Sequence, residues 1–495
     1  MSFRRKLALA VGSLVAVVSA ACVAPAGGMG TGHGGGSGDG HGGRAAAGPV
    51  APLSSDGRWL TDATGRVVTL HGVNEVEKAA PYFPAVAGFD ADDARFLADH
   101  GFTVVRLGVV MQGVMAEPGQ VDHDYIEALA GSVQALAREH IFVLLDFHQD
   151  GFSPKYNGNG LPDWMAIDDG LPNPPDAVFP LYYIQNPAMQ RAFESFWTNR
   201  TGPDGVGIQD NYVKAVTAVA KRFAHDPYVL GYELMNEPWP GATWQPCVLD
   251  PAGCVDLEQS LLVPFYRKAT AAIRAVSPSQ QVYVEPFVLF NFGLSATSIP
   301  GPGVESDKVL SFHSYALDVT GEEGVVANAL AAAERDQVPP VATEFGATLD
   351  VPTLQRLTGQ LDNGLISWMF WHYQEDILPR NEPADLENVR SLDAFRSLVR
   401  PYPLALTGTP TAAHFDPASR SYELAYSTRG PSGQRYRPDQ VSVISVPELQ
   451  YPDGYTVEAT GARVTSRPCA DDVTLRSSPR SNDVTVRILP SANCG

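Results

Sequence analysis

Residues Tyr232–Pro240, with the sequence YELMNEPWP, run from an apolar segment into an Asn-Glu-Pro turn that a tryptophan follows. Glu344 stands in a similar setting, because PVATEFG at residues 340–346 is again a short apolar run that ends in glutamate. Short apolar runs of this kind are typical of parallel strands buried on both faces. The repetition predicts that Glu237 and Glu344 stand at the ends of two strands of one barrel.

The rest of the chain repeats the same alternation of apolar and helical segments. Between the apolar segments lie stretches with helical spacing, such as residues 125–140. Eight strands that alternate with helices predict an α/β fold, the (β/α)₈ TIM barrel. The eight predicted strands are 67–74, 103–109, 141–147, 229–235, 281–286, 308–313, 340–345 and 365–371.

Two β-rich segments flank this barrel. Residues 59–68 read WLTDATGRVV and predict a hairpin, which we place as a plug at the barrel floor. After residue 400 the helical period stops, and short alternating strands predict a small C-terminal antiparallel β-sandwich. We therefore expect a barrel domain at 51–400 and a β-sandwich at 401–495. The predicted sandwich strands are 421–427, 441–446, 455–464 and 484–489.

The N-terminus predicts export. Arg4, Arg5 and Lys6 precede an apolar run that is too short to span a bilayer, so residues 1–22 read as a signal peptide. Cys22 is a candidate for the lipidated first residue of a bacterial lipoprotein, which would anchor the protein at the cell surface; the alternative is cleavage and release. Residues 23–50 are Gly-rich and predict a disordered tether.

The cysteine count supports an oxidising compartment. The chain has five cysteines, an odd number that fits one being used at Cys22 or lost with the signal. The other four form two local couples, Cys247 with Cys254 and Cys469 with Cys494. Spacing favours disulfides within each couple, although other pairings remain open.

Composition narrows the range of partners. The 495 residues can form a large core and a second module. The net charge of −20 argues against nucleic acid as a partner, since phosphate binding needs clustered Lys and Arg. The sequence implies no obligate protein partner, and we expect a monomer.

Polar side chains gather just after the predicted strand ends, where barrel active sites lie. Two carboxylates surrounded by Asn, His, Tyr, Arg and Trp suit glycoside hydrolysis, in which one carboxylic acid protonates the leaving oxygen and the other carboxylate attacks the anomeric carbon. Since both groups are side chains, we expect neither a metal nor a cofactor. The candidates are Lys78, Arg106, His148, Asp150, Asn236, Glu237, His313, Tyr315, Glu344 and Trp371.

These motifs carry a resemblance to a known family. The NEP turn after strand four, the glutamate at strand seven, Arg106, DFHQD and the HSY triplet at 313–315 resemble glycoside hydrolase family five, a clan A family. The segments VNEVEKAAPYFP, LPDWMAIDDGLP, IQNPAMQRAFESFW and RPYP are similar to those of the endoglycoceramidases within it. The resemblance spans about residues 60–402 strongly and the C-terminal part loosely.

The resemblance implies roles for the candidates. Glu237 would be the acid/base and Glu344 the nucleophile of a retaining enzyme, with Arg106 keeping Glu344 ionised. The remaining candidates would contact the sugar: Asn236 at its 2-hydroxyl, His313 and Tyr315 around the nucleophile, Lys78, His148 and Asp150 at the first sugar, Trp371 as its stacking platform, and Trp164 along the glycan or lipid path.

Three functions remain open at this point. The resemblance favours a secreted retaining β-glycosidase that cleaves glycan, glucose or galactose from ceramide, with a glycolipid substrate met at a membrane or micelle surface. An endo-β-glucanase of the same family is the first alternative. A glycan-binding lipoprotein with an inactive barrel is the second, and the two intact glutamates argue against it.

Overall fold

The structure is a computed structural model, and it describes residues 48–177, 180–249, 253–293, 295–300, 308–316, 318–374, 377 and 386–494. The predicted signal peptide and residues 23–47 of the predicted tether lie outside this part of the chain. Gly48 and Val50, which we assigned to the tether, are held by the folded protein. The Arg66 guanidinium donates to the Gly48 carbonyl at 2.5 Å, and the Val50 N–H donates to Asp62 at 3.1 Å.

The strands fall into three groups along the chain. Three short ones come first, eight barrel strands follow, and eight more belong to the C-terminal part. They are β1 Ser54–Asp56, β2 Trp59–Thr61, β3 Val67–Val68, β4 His71–Glu75, β5 Val104–Val110, β6 Phe142–His148, β7 Val229–Glu233, β8 Gln281–Val284, β9 Lys308–Ser314, β10 Pro340–Phe345, β11 Ser367–Phe370, β12 Tyr402–Leu406, β13 Thr409–Asp416, β14 Ser421–Ser427, β15 Ser442–Ser445, β16 Tyr455–Thr460, β17 Ala462–Val464, β18 Asp472–Ser477 and β19 Asp483–Pro490.

Strands β4 to β11 close into a parallel barrel, which confirms the predicted TIM barrel. All eight overlap the predicted apolar segments, because a strand covered on both faces has little room for polar residues. The first predicted segment, 67–74, is divided: β3 joins the C-terminal sheet and β4 belongs to the barrel. β11 pairs with β4 through Trp368 and His71, and that contact closes the ring. The carboxyl ends of all eight strands therefore open on one face of the barrel.

Helices pack around the barrel with their apolar stripes inward. Several begin at an aspartate whose side chain accepts a backbone N–H, as Asp90, Asp122 and Asp350 do. Among the described helices, none is both long enough and apolar enough to cross a membrane. The α-helices are Ala91–Asp99, Met111–Val114, His123–Arg138, Tyr182–Gln185, Pro187–Trp197, Ile208–Phe223, Pro246–Leu249, Val255–Leu257, Val263–Arg274, Val319–Asp336, Val351–Asn363, Leu386–Ser391 and Asp393–Leu398.

The barrel floor is closed by segments from both ends of the chain. Leu53 and Leu60 are buried against the inward-facing residues of the barrel strands, together with Tyr402 and Leu404. The predicted hairpin at 59–68 therefore does lie at the floor. The sequence did not predict its second role, in which β3 pairs with β12 and extends the C-terminal sheet to the order β1-β2-β3-β12-β15-β18-β17.

The C-terminal part is a sandwich of two antiparallel sheets, as predicted. The seven-stranded sheet faces a four-stranded sheet of order β13-β14-β19-β16, with an apolar core between them. The segment 455–464, predicted as one strand, is two strands in different sheets. Gly461, with φ of +79°, separates them, because this left-handed conformation suits glycine.

Candidate active site

Glu237 lies in a tight turn just beyond β7. Its φ of +42° is left-handed, and it precedes Pro238, which disfavours helical conformations at the residue before it. Such backbone strain costs about 1–3 kcal/mol and persists only where neighbours enforce it. The Gln149 side chain donates to the carbonyl oxygens of Asn236 and Glu237 at 2.8 and 3.0 Å. The turn is therefore held from the β6 side by a residue of the DFHQD motif.

Arg106 on β5 is the centre of the buried charge network. Its guanidinium donates to Glu344 and to Glu233 at 2.5 Å each, and to Asn236 at 2.7 Å. A third carboxylate, Asp146, lies 3.1 Å away. One buried cation shared among three carboxylates leaves this region acidic, which opposes the ionisation of any further carboxyl group nearby.

The Glu237 carboxyl is the more easily protonated of the two candidates. Burial, together with the charge of Asp150, raises its pKa to about 7. His313 Nδ1 lies 2.9 Å from Glu237 Oε1, and burial lowers the pKa of this imidazole to about 4, so it is neutral near pH 7. A carboxyl group with a pKa near the working pH suits a general acid that later acts as a base.

Glu344 has different partners. Tyr315 donates its hydroxyl to Glu344 Oε2 at 2.8 Å, and Arg106 contacts the other oxygen. Burial raises the pKa of Glu344, while His313 and Arg106 oppose that rise. The Arg106 contact lowers the pKa of Glu344 and so favours the carboxylate, the form that a nucleophile needs. Burial has the larger effect, and the net shift of this pKa is upward. His313, which the resemblance placed around the nucleophile, is nearer to Glu237, since Glu344 lies 3.4 Å from it.

The two glutamates are close enough for a covalent mechanism. An oxygen of Glu237, an oxygen of Glu344 and a nitrogen of His313 all lie within 4.8 Å of one another. Inverting glycosidases separate their carboxyl groups by about 6.5–9.5 Å to admit a water, whereas retaining enzymes hold them about 5–5.5 Å apart. The spacing fits the retaining arrangement.

A second cluster stands beside this pair. Lys78 is 2.7 Å from Asp150 and lies 4.5 Å above the Trp371 ring, which stacks on His148 at 5.2 Å. Burial alone would lower the pKa of His148, but the carboxylates of Asp146 and Asp150 raise it to about 9. Four of the predicted sugar-binding residues therefore form one connected surface of alternating charge around an aromatic face.

Trp164 is the predicted residue that the structure does not connect to the others. It is partly buried, and its indole N–H donates to the Met115 carbonyl at 3.4 Å. Among the described residues it makes no hydrogen bond or ring contact with the other ten candidates. Its place along a glycan or lipid path stays a prediction, as do the individual roles of the other candidates.

Sequence reasoning missed several residues that hold the site. Asp146 precedes His148 by two positions on the same strand face, and that spacing could have identified it. Glu285 follows β8, is fully buried and accepts the Glu237 N–H at 2.8 Å. Asn291 donates to Glu237 at 3.2 Å from a turn after β8, and no motif points to it.

The same carboxylates offer geometries that could hold a metal ion. The sets Glu233, Glu285 and His313, and Glu237, His313 and Glu344, each bring three ligand atoms within 4.8 Å. Carboxylate oxygens and an imidazole nitrogen are suitable ligands for a divalent cation. In the structure these groups are hydrogen-bonded to Arg106, Thr343, Asn291 and Tyr315. The expectation of metal-independent chemistry stays a prediction.

Both predicted disulfides are present, Cys247–Cys254 and Cys469–Cys494. The first closes the loop that follows Glu237 and is buried beside Trp239 and Trp244. The second joins the segment after β17 to the C-terminal end.

Known proteins share this sequence and fold. Residues 61–376 match the family model described as cellulase (glycosyl hydrolase family 5), and residues 400–488 match the family 5 C-terminal domain. Endoglycoceramidase I of Rhodococcus hoagii (strain 103S) is 34% identical over 87% of this chain and 86% of that protein. Endoglycoceramidase of Hydra vulgaris is 28% identical over 81% of each chain.

A solved structure agrees. Endo-glycoceramidase II from Rhodococcus sp., solved as a ganglioside GM3 complex, has a TM-score of 0.70 and 27% identity. That match covers 88% of this chain and all of the solved one. Because the cellulase model spans the whole barrel and the R. hoagii relative spans both domains, this chain belongs to glycoside hydrolase family 5.

Proposed function

We propose that this family 5 glycoside hydrolase is a retaining β-glycosidase that cleaves the bond between sugar and ceramide in glycosphingolipids. The observation that carries the chemistry is the close pair Glu237 and Glu344, which lie within 4.8 Å in unlike environments. The substrate class is supported by the relatives, since endoglycoceramidases align over most of this chain.

The geometry supports a double displacement. Glu344 attacks the anomeric carbon as a carboxylate while Glu237 gives its proton to the glycosidic oxygen, so that ceramide leaves as a neutral alcohol and a glycosyl ester forms on Glu344. Glu237, now ionised, takes a proton from water, and that water displaces Glu344 with a second inversion. Arg106 and Tyr315 contact the two oxygens of Glu344 and are placed to stabilise it when it leaves.

The test is a comparison of substrates. Fluorescent glucosylceramide, a ganglioside and carboxymethylcellulose are incubated with the enzyme, and the products are identified by mass. We expect sugar or intact glycan to be released from at least one glycolipid, with ceramide as the other product. Hydrolysis of the polymer alone would replace this proposal with the glucanase alternative, whereas no hydrolysis of any substrate would favour a binding protein.

We also propose that the protein is exported and acts as a monomer at a lipid surface. Arg4–Lys6 with the apolar run after them supports export, and so do two disulfides, which persist in oxidising compartments. Fractionation of expressing cells, with Cys22→Ser as the variant, separates lipid anchoring from release. Light scattering coupled to size-exclusion chromatography measures the molar mass and tests whether the protein is a monomer. Co-sedimentation with glycolipid micelles tests whether it binds a lipid surface.

A further inference from the structure

Two buried side chains outside the predicted set contact Glu237 from the side opposite Gln149. Glu285 follows β8, and Asn291 follows it within the turn Val288–Phe292; both are fully buried. Glu285 Oε2 accepts the Glu237 backbone N–H at 2.8 Å. Asn291 Nδ2 donates to Glu237 Oε1 at 3.2 Å and to Glu285 Oε1 at 3.1 Å. One amide group therefore bridges the two carboxyl groups.

The orientation of the Asn291 amide is fixed by its other end. Its Oδ1 accepts the His313 backbone N–H at 3.1 Å, so its NH₂ group must face the carboxyls. Its backbone carbonyl accepts the Tyr315 N–H at 3.0 Å. Asn291 is thus joined to the segment that carries Tyr315, which in turn holds Glu344. Asn291 therefore fixes the position of the Glu237 carboxyl relative to Glu344.

These contacts distinguish the two oxygens of Glu237. Oε1 accepts from Asn291 Nδ2. His313 Nδ1 lies 2.9 Å from the same oxygen and also faces Glu285 and Glu344 at 3.6 and 3.4 Å, and these acceptors favour the tautomer with the proton on Nδ1, which donates to Oε1. In the described part of the chain, Oε2 has no hydrogen-bond partner, and it is not among the buried unsatisfied atoms. A carboxylic acid carries its proton on the oxygen that accepts less. The proton is therefore directed to Oε2.

We propose that Glu285 and Asn291 are positioning residues for Glu237, which hold its left-handed backbone and bind Oε1 so that Oε2 delivers the proton to the glycosidic oxygen. The backbone is enclosed from both sides: Gln149 donates to the Glu237 carbonyl, and Glu285 accepts the Glu237 N–H. This inference rests on the proposed function, in which Glu237 is the acid/base.

The charged and polar groups around Glu237 determine in which direction its pKa changes when one of them is replaced. Burial and Asp150 raise its pKa, whereas the Asn291 hydrogen bond, His148 and Arg106 lower it. Tyr182, Tyr183 and Tyr315 also face it, and burial raises the pKa of each, so they stay neutral. The ionisable groups around Glu237 on other elements are Arg106, His148, Asp150, Glu285, His313 and Glu344.

The decisive measurement compares two leaving groups. A ceramide alkoxide needs a proton from the acid, whereas dinitrophenolate leaves without one, so a fault in the acid alone affects only the first substrate. We expect Asn291→Ala to lower kcat/KM on glucosylceramide by about 10- to 100-fold, within the range that acid catalysis supplies. On a dinitrophenyl β-glycoside the loss should be less than about 3-fold by the same reasoning. A parallel loss on both substrates, or no loss, would overturn the proposal.

Glu285→Gln gives a second, nearly isosteric variant. Glutamine has one acceptor oxygen, so it cannot accept both the Glu237 N–H and the Asn291 amide, and its own NH₂ opposes one of these donors. We expect the same selective loss on glucosylceramide. For Asn291→Ala the alkaline limb of the kcat/KM profile should also move to higher pH by about one unit. The reason is that the Asn291 hydrogen bond favours the Glu237 carboxylate, so its removal raises the pKa of Glu237. A limb that stays in place would contradict this part.

The chain offers matched controls. Glu258 is as buried as Glu285, and both its oxygens accept hydrogen bonds, from Thr297 and Ser298, away from the catalytic pair. Asn211 is a buried asparagine that donates to Asp204 at 2.9 Å. Glu258→Gln and Asn211→Ala should lower thermal stability without separating the two substrates. If they separate them too, the selective loss is not specific to Glu285 and Asn291.

Failure of the proposed function has its own signature. Glu237→Gln should spare the dinitrophenyl substrate relative to glucosylceramide. Azide should restore turnover, because this anion attacks the anomeric carbon of the glycosyl ester in place of water and needs no base, so that a glycosyl azide forms and the Glu344 carboxylate is released. If Glu237→Gln lacks this signature, the acid/base assignment is wrong and the positioning proposal falls with it. If Glu237→Gln has it but Asn291→Ala does not, only the positioning proposal is wrong.

Discussion

Glu344 shows how partners assign a role to a residue. Both its oxygens are occupied by Arg106 and Tyr315, so glutamine at this position keeps the shape but loses the charge that attacks carbon. We expect Glu344→Gln to lower turnover by more than about 10³-fold while the fold persists, because Arg106 keeps its contacts with Glu233 and Asp146. Circular dichroism and hydrolysis rates measure both. Glu334→Gln, on an exposed helix face, is the control. Retained activity in Glu344→Gln would contradict the assignment of Glu344 as the nucleophile.

The pH dependence follows from the environment of Glu237. Its pKa of about 7 means that the acid form is lost as pH rises, so kcat/KM should fall along an alkaline limb near pH 7. Asp150 raises that pKa by its charge, and we expect Asp150→Asn to move the limb to lower pH. The position of the limb is read separately from KM, which will rise if Asp150 binds sugar. A limb that moves upward would contradict the expected sign.

Metal removal tests the chemistry of the carboxylates directly. The proposed acid Glu237 and the proposed nucleophile Glu344 are both side chains, and Arg106 is the cation beside Glu344. We expect dialysis against EDTA to leave turnover of glucosylceramide unchanged. An activity that EDTA abolishes and a divalent cation restores would instead assign one of the buried triads around His313 to a metal.

At the scale of the loop after Glu237, the Cys247–Cys254 disulfide joins two cysteines that are seven residues apart and buried in the same core cluster as Trp239. Loop-closure entropy for so short a loop amounts to about 2–3 kcal/mol. We expect Cys247→Ser with Cys254→Ser to lower both thermal stability and glycolipid turnover, because the loop begins at Glu237, the proposed acid/base. The matched pair Cys469→Ser with Cys494→Ser should lower stability alone. Unchanged activity in the Cys247→Ser, Cys254→Ser variant would show that this loop does not support the active site.

The strands of the barrel were predictable because each is an apolar run of the right length. The positions of Glu237 and Glu344 at strand ends were predictable because each glutamate ends such a run. Asn291 was not predictable, since one asparagine in a turn carries no periodicity and its role depends on three-dimensional neighbours. β3 was read correctly as part of a hairpin, but its pairing with β12 joins residues far apart in sequence, and local pattern says nothing about such contacts. The break at Gly461 likewise depends on which sheet each half joins.

The interface between barrel and sandwich contains a buried ion pair with a pH-dependent contribution to the stability of the whole molecule. Asp362 accepts from Arg400 at 2.7 Å and from the Trp368 indole at 3.0 Å. Although burial alone would raise the pKa of Asp362, Arg400 and His71 lower it to about 2. A carboxyl whose pKa is depressed on folding stabilises the protein above its unfolded pKa, and this contribution is lost as pH falls from about 4 to about 2.

We therefore expect Asp362→Asn to lower the free energy of unfolding at pH 7 by about 2–3 kcal/mol and to flatten the acid branch of the stability curve. Urea unfolding at a series of pH values measures both. Asp439→Asn, an exposed aspartate in the sandwich, is the control. An acid branch that keeps its slope in Asp362→Asn would show that other carboxylates control it.

The seven-stranded sheet, which joins β1, β2 and β3 to strands of the C-terminal part, affects the order in which the protein can fold during its synthesis. All eight barrel strands have been translated by residue 370, whereas Tyr402, Leu404 and Val443, which pack at the floor of the barrel, come later in the chain. β1, β2 and β3 meanwhile lack the neighbour at 402–406 that completes their ladder. The floor of the barrel is therefore completed only by residues that are translated after its eighth strand, so we expect the barrel to reach its native packing only once the C-terminal part has been made.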